Sequence, residues 1–126
     1  MRYKNILLVD HTDDSKLLMT AIKAVDEKIN STIENNALQV LRKLNETNNF
    51  PDLIFIDYHM PYIEGSEFLE LLRSIKGLKK IPIVFYSAHS FEAVKNAVKK
   101  HKEVWCINKQ NNLSMITKSL KEIINC

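Results

Sequence analysis

Four polar residues stand at or just beyond the ends of short apolar runs: Asp10, Asp57, Ser87 and Lys109. If these runs are strands of one parallel sheet, all four side chains lie along the same edge of that sheet. The two carboxylates repel each other unless a cation lies between them, and Mg²⁺ is a natural hard ion for oxygen ligands. Acids, a cation, a hydroxyl and an amine together indicate chemistry on a phosphoryl group.

The reaction that these residues predict is phosphoryl transfer to a carboxylate. An ionised Asp57 attacks phosphorus in line, with Mg²⁺ bridging the carboxylates and the phosphoryl oxygens. Lys109 neutralises the charge on the equatorial oxygens. Ser87 then donates a hydrogen bond to the phosphoryl group, which pulls its loop inward and changes the nearby surface. The predicted product is an aspartyl phosphate that alters the shape of the protein.

The elements that must position these residues follow from the hydrophobic pattern, which alternates between short apolar runs and longer amphipathic segments. The predicted strands are Lys4–Val9, Ser31–Glu34, Asp52–Asp57, Ile81–Tyr86 and Val104–Ile107. The predicted helices run from a cap at Thr12 to about Ile29, over Ala37–Asn45, from about Glu64 to Ser74 with Gly77 as the stop, over Phe91–Lys100 and over Leu113–Ile124. Strands that are apolar on both faces predict an α/β fold, a doubly wound (βα)5 sandwich around a parallel sheet.

One segment carries a specific resemblance. Residues 57–65, Asp-Tyr-His-Met-Pro-Tyr-Ile-Glu-Gly, resemble the phosphoacceptor loop of response-regulator receiver domains, Asp-x-x-Met-Pro with a glycine four residues on. Ser87 followed by Ala88 is similar to the switch hydroxyl and small residue of that family, and Lys109 to its lysine. The whole chain therefore resembles a CheY-like receiver of two-component signalling, and the resemblance implies a flavodoxin-like sheet of order 2-1-3-4-5.

The resemblance implies further roles. The backbone carbonyl of His59 would be a metal ligand, and His59 and His89 would tune the lifetime of the phosphate. The phosphoryl donor would be a phosphohistidine on a sensor histidine kinase or a histidine phosphotransfer protein. The protein would be a phosphoacceptor rather than an enzyme, although it can catalyse its own phosphoryl transfer and dephosphorylation. We expect a stand-alone module over residues 1–126, without an output domain, that contacts a downstream protein through the fourth helix, fifth strand and fifth helix.

The end of the first strand departs from the family pattern. The family places two adjacent acids there, whereas this chain has Asp10 followed by His11. Imidazole is a softer ligand than carboxylate, so Mg²⁺ affinity should fall and Mn²⁺ or another transition metal becomes acceptable. Asp13 and Asp14 are alternative ligands, but acids in the first turn of a helix are also explained by the helix dipole.

Two further departures concern the switch. Gln110 follows Lys109 where the family has proline, so we expect a trans peptide bond there. The family's switch aromatic falls on Cys106, and its neighbour Trp105 should point to the opposite face of the strand. Tyr86 and Phe91 are alternatives for that aromatic, and both are also typical core residues.

Three histidines fall on loops of this edge: His11, His59 and His89. They could hold a transition metal or transfer protons, whereas isolated loop histidines are more often plain polar residues. No such context surrounds His101.

The composition and the length of the apolar runs indicate where the protein is located and which partners to expect. Apolar runs are far shorter than the roughly 20 residues of a membrane helix, and the amino terminus lacks the apolar segment of a signal peptide. We therefore expect a cytoplasmic protein with two free cysteines and no membrane partner. Lysines are numerous but have no interleaved aromatics, which favours a solvated face over nucleic-acid binding.

Two rival hypotheses remain. The first is a pseudo-receiver, a protein-binding module that keeps the fold and works without phosphate, and the pair Asp10 and His11 favours it. The second is a small phosphatase or flavodoxin-like enzyme. The chain has only two glycines and no glycine-rich phosphate loop, which disfavours the second.

Overall fold

A five-stranded parallel sheet forms the centre of the protein in a computed structural model that describes residues 3–12, 14–60, 62–87, 95–96, 99–108 and 113–124. Its strands are β1 (Asn5–Val9), β2 (Asn30–Glu34), β3 (Leu53–Asp57), β4 (Ile83–Ser87) and β5 (Val104–Asn108). The order is β2-β1-β3-β4-β5, with every neighbouring pair parallel. The predicted order 2-1-3-4-5 is confirmed.

Helices cover both faces of this sheet. They are α1 (Asp14–Val25), α2 (Ala37–Asn45), α3 (Gly65–Arg73) and α4 (Leu113–Ile124), with a 3₁₀ turn over Lys76–Leu78. α4 is the predicted fifth helix. Of the predicted fourth helix, residues 95–96 and 99–100 are helical, and the rest lies outside the described residues.

Two apolar cores lie on the two faces because successive strand residues point in opposite directions. Ile54 and Ile56 pack in the core with α2 and α3, whereas Phe55 packs in the core with α1 and α4. All five residues of β3 are buried, which explains the unbroken apolar run in the sequence. Tyr86 is 2% exposed in the second core, so the core interpretation of this tyrosine is the correct one.

The end of α1 differs from the prediction. The helix stops at Val25 rather than near Ile29, because Asp26 Oδ1 accepts a hydrogen bond from the Lys28 amide at 2.9 Å and forms a local turn. Lys23 Nζ donates to the Ile29 carbonyl at 2.9 Å and holds the turn against the helix end. The chain therefore reaches β2 through a capped turn.

The role predicted for Gly77 is wrong. α3 ends at Arg73, with Ser74 as its cap, and Gly77 lies in the 3₁₀ turn that follows. A Cβ at Gly77 would clash with the ring of Phe50, so the close approach of this ring requires glycine. Packing, not helix termination, accounts for this residue.

No helix within the described residues is both long enough and apolar enough to cross a bilayer.

Candidate phosphoacceptor site

Two buried carboxylates leave the sheet side by side. β1 and β3 are neighbours in parallel register, with Val9 opposite Ile56. Asp10 follows Val9 and Asp57 follows Ile56, so both acids reach the carboxyl edge together. Their side chains are 4% and 3% exposed. The predicted meeting of Asp10 and Asp57 is therefore present in the structure.

The Asp10 carboxylate is fixed by the turn that leads into α1. The amide and the hydroxyl of Thr12 both donate to Asp10 Oδ1 at 2.8 Å. The hydroxyl of Ser15 in turn donates to the Thr12 carbonyl at 3.2 Å. Thr12 thus orients the acid and also precedes the helix. Such a contact, from the amide of one residue to an aspartate two residues earlier, is an Asx turn.

His11 completes the group. Its Nδ1 lies 3.5 Å from Asp57 Oδ2, and its side chain is 36% exposed. One ligand atom from each of Asp10, His11 and Asp57 falls within 4.8 Å of the others. Within the described part of the chain, this is the group of three acidic or histidine side chains that could hold a metal ion. Two desolvated carboxylates so close to each other favour a divalent cation between them. The donor set therefore fits a metal.

The strand registers bring the other predicted residues to the same edge. Asp57 lies opposite Tyr86 in β4, so the backbone of Ser87 is one residue further along. Ser87 in turn lies opposite Asn108, the residue before Lys109. Lys109 itself lies outside the described residues, as do His89 and Asp13, so the roles predicted for them stay predictions.

The loop after Asp57 is a tight hairpin. Residues His59–Met60 pair antiparallel with Ile63–Glu64, which fixes the backbone of His59 directly beyond the acceptor. Tyr62 at its tip has φ of 76° and is 90% exposed. The glycine of the motif, Gly65, begins α3 against the ring of Tyr58, where a Cβ would be 2.5 Å from Cδ1. The motif glycine is thus required by close packing beside the acceptor.

The edge strand β5 carries exposed side chains. Cys106 is exposed with a free thiol, and desolvation raises the pKa of that thiol. Trp105 is 39% exposed. Leu113 and Met115, on α4, are 40% and 55% exposed. β5 and α4 therefore present large apolar side chains to solvent.

A second polar group was not predicted from the sequence. Glu70 Oε1 on α3 contacts Lys100 Nζ at 3.2 Å and His101 Nε2 at 2.9 Å. The hydrogen bonds from Lys100 and then His101 lower the pKa of Glu70 below its ordinary value. These residues are about thirty positions apart, so no local sequence signal indicates the contact. They tie the end of the segment before β5 to α3.

Comparison with known proteins agrees with this geometry. Residues 6–121 match the family described as the response regulator receiver domain. The probable transcriptional regulator ycf29 of Porphyra purpurea is 36% identical over 88 residues, which are 70% of this chain and 40% of that protein. The chain thus spans about two fifths of the length of such curated relatives.

Solved structures show the same fold. The phosphorylated cyanobacterial phytochrome response regulator RcpA superposes with a TM-score of 0.82 at 25% identity, over 96% of this chain and 91% of that one. The Mn²⁺-bound form of response regulator Rcp1 gives a TM-score of 0.79 at 25% identity, over 95% and 91% of the two chains. The fold of this chain is thus that of an established architecture.

Proposed function

Because this chain belongs to the response-regulator receiver domain family, we propose that it is a phosphorylation-controlled signalling switch whose phosphate acceptor is Asp57. The observation that carries the proposal is the burial of Asp57 beside Asp10 and His11 at the carboxyl edge of the sheet. In doubly wound sheets this edge is where ligands bind. The motif loop after Asp57 supports the same assignment.

The chemistry proposed for Asp57 is an in-line displacement. A carboxylate oxygen attacks phosphorus, an O–P bond forms, and the N–P bond of a phosphohistidine breaks as the donor imidazole leaves and takes a proton from solvent. Asp10, held by Thr12, lies beside the acceptor. Lys109 follows β5 at the same edge and would place its ammonium group on the phosphoryl oxygens.

A divalent cation is part of the proposal. When bound, it supplies positive charge that offsets the two carboxylates and the phosphoryl oxygens. Asp10 and Asp57 would hold it, together with the backbone carbonyl of His59 and with His11 as a further ligand. A relative of similar fold, Rcp1, is known in an Mn²⁺-bound form.

The response to phosphate is proposed to travel through the β4 edge. Ser87 is the residue next to the partner of Asp57, so a hydrogen bond from its hydroxyl to the phosphoryl group would draw β4 and its following loop inward. His59 and His89 flank the acceptor and the switch serine in sequence and would control access of the water that hydrolyses the phosphate.

The partners follow from the same proposal. The phosphoryl donor is a sensor histidine kinase or a histidine phosphotransfer protein. The downstream partner is a protein that binds beside β5, where Trp105, Leu113 and Met115 are exposed. The predicted fourth helix, which precedes β5, and α4 would complete this surface.

A second candidate function is a phosphate-independent binding module. One observation favours it: the side chain beside the acceptor is His11 and not a second acid, with Nδ1 3.5 Å from Asp57 Oδ2. In that case the fold presents the same apolar surface without a covalent switch.

Intact-mass measurement after incubation with acetyl phosphate tests the choice. The native protein and the variants Asp57→Asn and Asp52→Asn are each incubated with Mg²⁺ and, separately, with Mn²⁺. Asp52→Asn is the matched control, because Asp52 lies at the other end of β3 and its carboxylate binds backbone amides there. We expect a phosphoryl adduct in the native protein and the control, cleaved by hydroxylamine as acyl phosphates are, and none in Asp57→Asn.

The opposite result would favour the binding module. If neither ion gives an adduct, and none forms with a panel of phosphorylated sensor kinases, Asp57 is not a working acceptor. An adduct that persists in Asp57→Asn would place the phosphate on another residue and would also refute the assignment.

A further inference from the structure

The imidazole of His11 occupies a metal-ligand position in the acidic site. Its Nδ1 is 3.5 Å from Asp57 Oδ2, and one ligand atom from each of Asp10, His11 and Asp57 lies within 4.8 Å of the others. A single ion with ligand bonds of about 2.1 Å reaches Nδ1 and Oδ2 together, at an angle of roughly 110° between them. The three side chains therefore form one candidate ligand set for a single ion.

The donor set differs from an all-oxygen one in type and in charge. Mg²⁺ binds oxygen almost exclusively and requires near-octahedral geometry, in which adjacent ligands are about 3.0 Å apart. Imidazole nitrogen suits first-row transition metals better than it suits hard ions. A site with mixed nitrogen and oxygen ligands therefore binds a transition-metal ion more tightly than it binds Mg²⁺. Two carboxylates and one neutral imidazole also attract a dication less strongly than three carboxylates would. Both effects act against Mg²⁺, and only the charge effect acts against a transition metal.

We propose that His11 binds the metal directly through its ring nitrogen and makes the site selective for a transition-metal dication such as Mn²⁺ over Mg²⁺. The inference deepens the proposed function, since it names the ion of the phosphoacceptor site. His11 is exposed enough to reach an ion that enters from solvent, whereas Asp10 and Asp57 line the buried side. The histidine thus stands on the solvent side of the two buried carboxylates.

The test uses metal-free native protein and three variants: His11→Asp, His11→Asn and His101→Asn. The last is the matched control, because His101 binds Glu70 on α3 and not the acidic site. Loss of the free-ion electron paramagnetic resonance signal measures Mn²⁺ binding, and competition by Mg²⁺ gives the ratio of the two dissociation constants. Pulsed resonance of bound Mn²⁺ detects a nitrogen ligand through its hyperfine coupling to ¹⁴N.

The expected result has two parts. The ¹⁴N coupling appears in the native protein and in His101→Asn and is absent in both His11 variants. The preference for Mn²⁺ over Mg²⁺ falls by about tenfold or more in His11→Asp, the scale on which metal sites respond to changes around the ion. Because His11→Asp adds a charge that strengthens binding of both ions, the ratio isolates the effect of donor type.

Two results would overturn the inference: no ¹⁴N coupling in the native protein, or an unchanged ratio in His11→Asp. His11→Asn keeps the coupling test decisive if the aspartate variant does not fold. The outcomes separate from those of the phosphorylation experiment. An Asp57 adduct without ¹⁴N coupling keeps the acceptor and refutes the ligand, and coupling without an adduct does the reverse.

Discussion

The two edges of the central sheet use charged side chains in opposite ways. At the amino edge, charges bind backbone groups of complementary polarity. At the carboxyl edge, two carboxylates are buried together beside a histidine. The first arrangement stabilises the fold, and the second stores electrostatic repulsion that a cation can relieve.

Two charged residues join separate segments of the chain at the amino edge of the sheet. Asp52 Oδ2 accepts hydrogen bonds from the amides of Lys4 and Asn5 at 2.8 and 2.9 Å, which ties the start of β3 to the start of β1. Arg73 donates to the carbonyls of Leu78 and Ile81 at 2.8 and 2.7 Å. The same guanidinium reaches the carbonyl of Lys102 at 3.0 Å, just before β5. Charge here joins segments that are far apart in sequence.

At the carboxyl edge two acids lie together, whereas at the amino edge each charged side chain binds backbone groups of opposite polarity. Asp10 and Asp57 are nearly fully buried, and two carboxylates this close together repel each other. Thr12 orients Asp10 without removing its charge. The comparison teaches that the end of a strand alone does not mark a functional site. Two buried acids that meet at that end do.

Arg73→Met should have the largest effect on stability. It leaves four carbonyl acceptors without the guanidinium, and we expect the free energy of unfolding to fall by about 3 kcal/mol. Urea titration followed by circular dichroism measures it. Burial lowers the pKa of Arg73, with Glu103 acting in the opposite direction, so the side chain already bears a desolvation cost that its hydrogen bonds offset.

Arg42→Met is the matched control for this prediction. Arg42 lies on the exposed face of α2 and contacts Gln39 and Glu46. Its loss should change the free energy of unfolding by less than about 0.5 kcal/mol. Equal effects of the two substitutions would show that the hydrogen bonds of the half-buried Arg73 guanidinium add no stability at the amino edge.

The same chemical change at the two edges should have opposite signs. Asp52→Asn weakens two charge-assisted hydrogen bonds and should lower the free energy of unfolding by about 1 kcal/mol. Asp57→Asn removes one of two buried like charges and should raise it by about 1 kcal/mol. Both are measured at pH 7 in the presence of a chelator.

Added divalent cation sharpens this contrast. It should stabilise the native protein and not Asp57→Asn, because only the native site keeps both carboxylates. Destabilisation by both asparagine substitutions in chelator would mean that the carboxyl edge stores no repulsion, and the comparison would fail.

Much of the fold could be predicted because its strongest signals are local. The apolar run that becomes β3 shows burial on both faces, and α2 has the predicted bounds because Asn36 caps it, with Oδ1 accepting from the amides of Leu38 and Gln39. The candidate site was also predictable in part. Strand-end acids in a parallel sheet must meet at one edge, so Asp10 and Asp57 needed no tertiary information.

The rest depends on contacts between distant segments. Nothing near Arg73 indicates that its guanidinium turns inward rather than into solvent, as most basic residues in a last helical turn do. Gly77 resembles a helix stop until the ring of Phe50 is known to lie against it. The distance from His11 to Asp57 also required the structure, although the identity of His11 had already marked the departure from two acids.

The smallest effect is expected at a charged group that belongs to neither edge. Glu70 is exposed and binds Lys100 and His101, and these contacts lower the pKa of its carboxyl. A carboxyl with a lowered pKa in the folded state stabilises the protein above its ordinary value of 4.5 and loses that contribution as pH falls through the folded pKa. Glu70→Gln should therefore be slightly less stable than the native protein at pH 7, and this difference in stability should disappear below pH 4.5.

Thermal unfolding at a series of pH values measures the gap in stability between Glu70→Gln and the native protein. Glu46→Gln is the control, since Glu46 lies 3.7 Å from Arg42 on an open helix face. A gap that stays constant down to pH 3 would mean that Glu70 acts through packing, and charge matching would then be confined to the amino edge of the sheet.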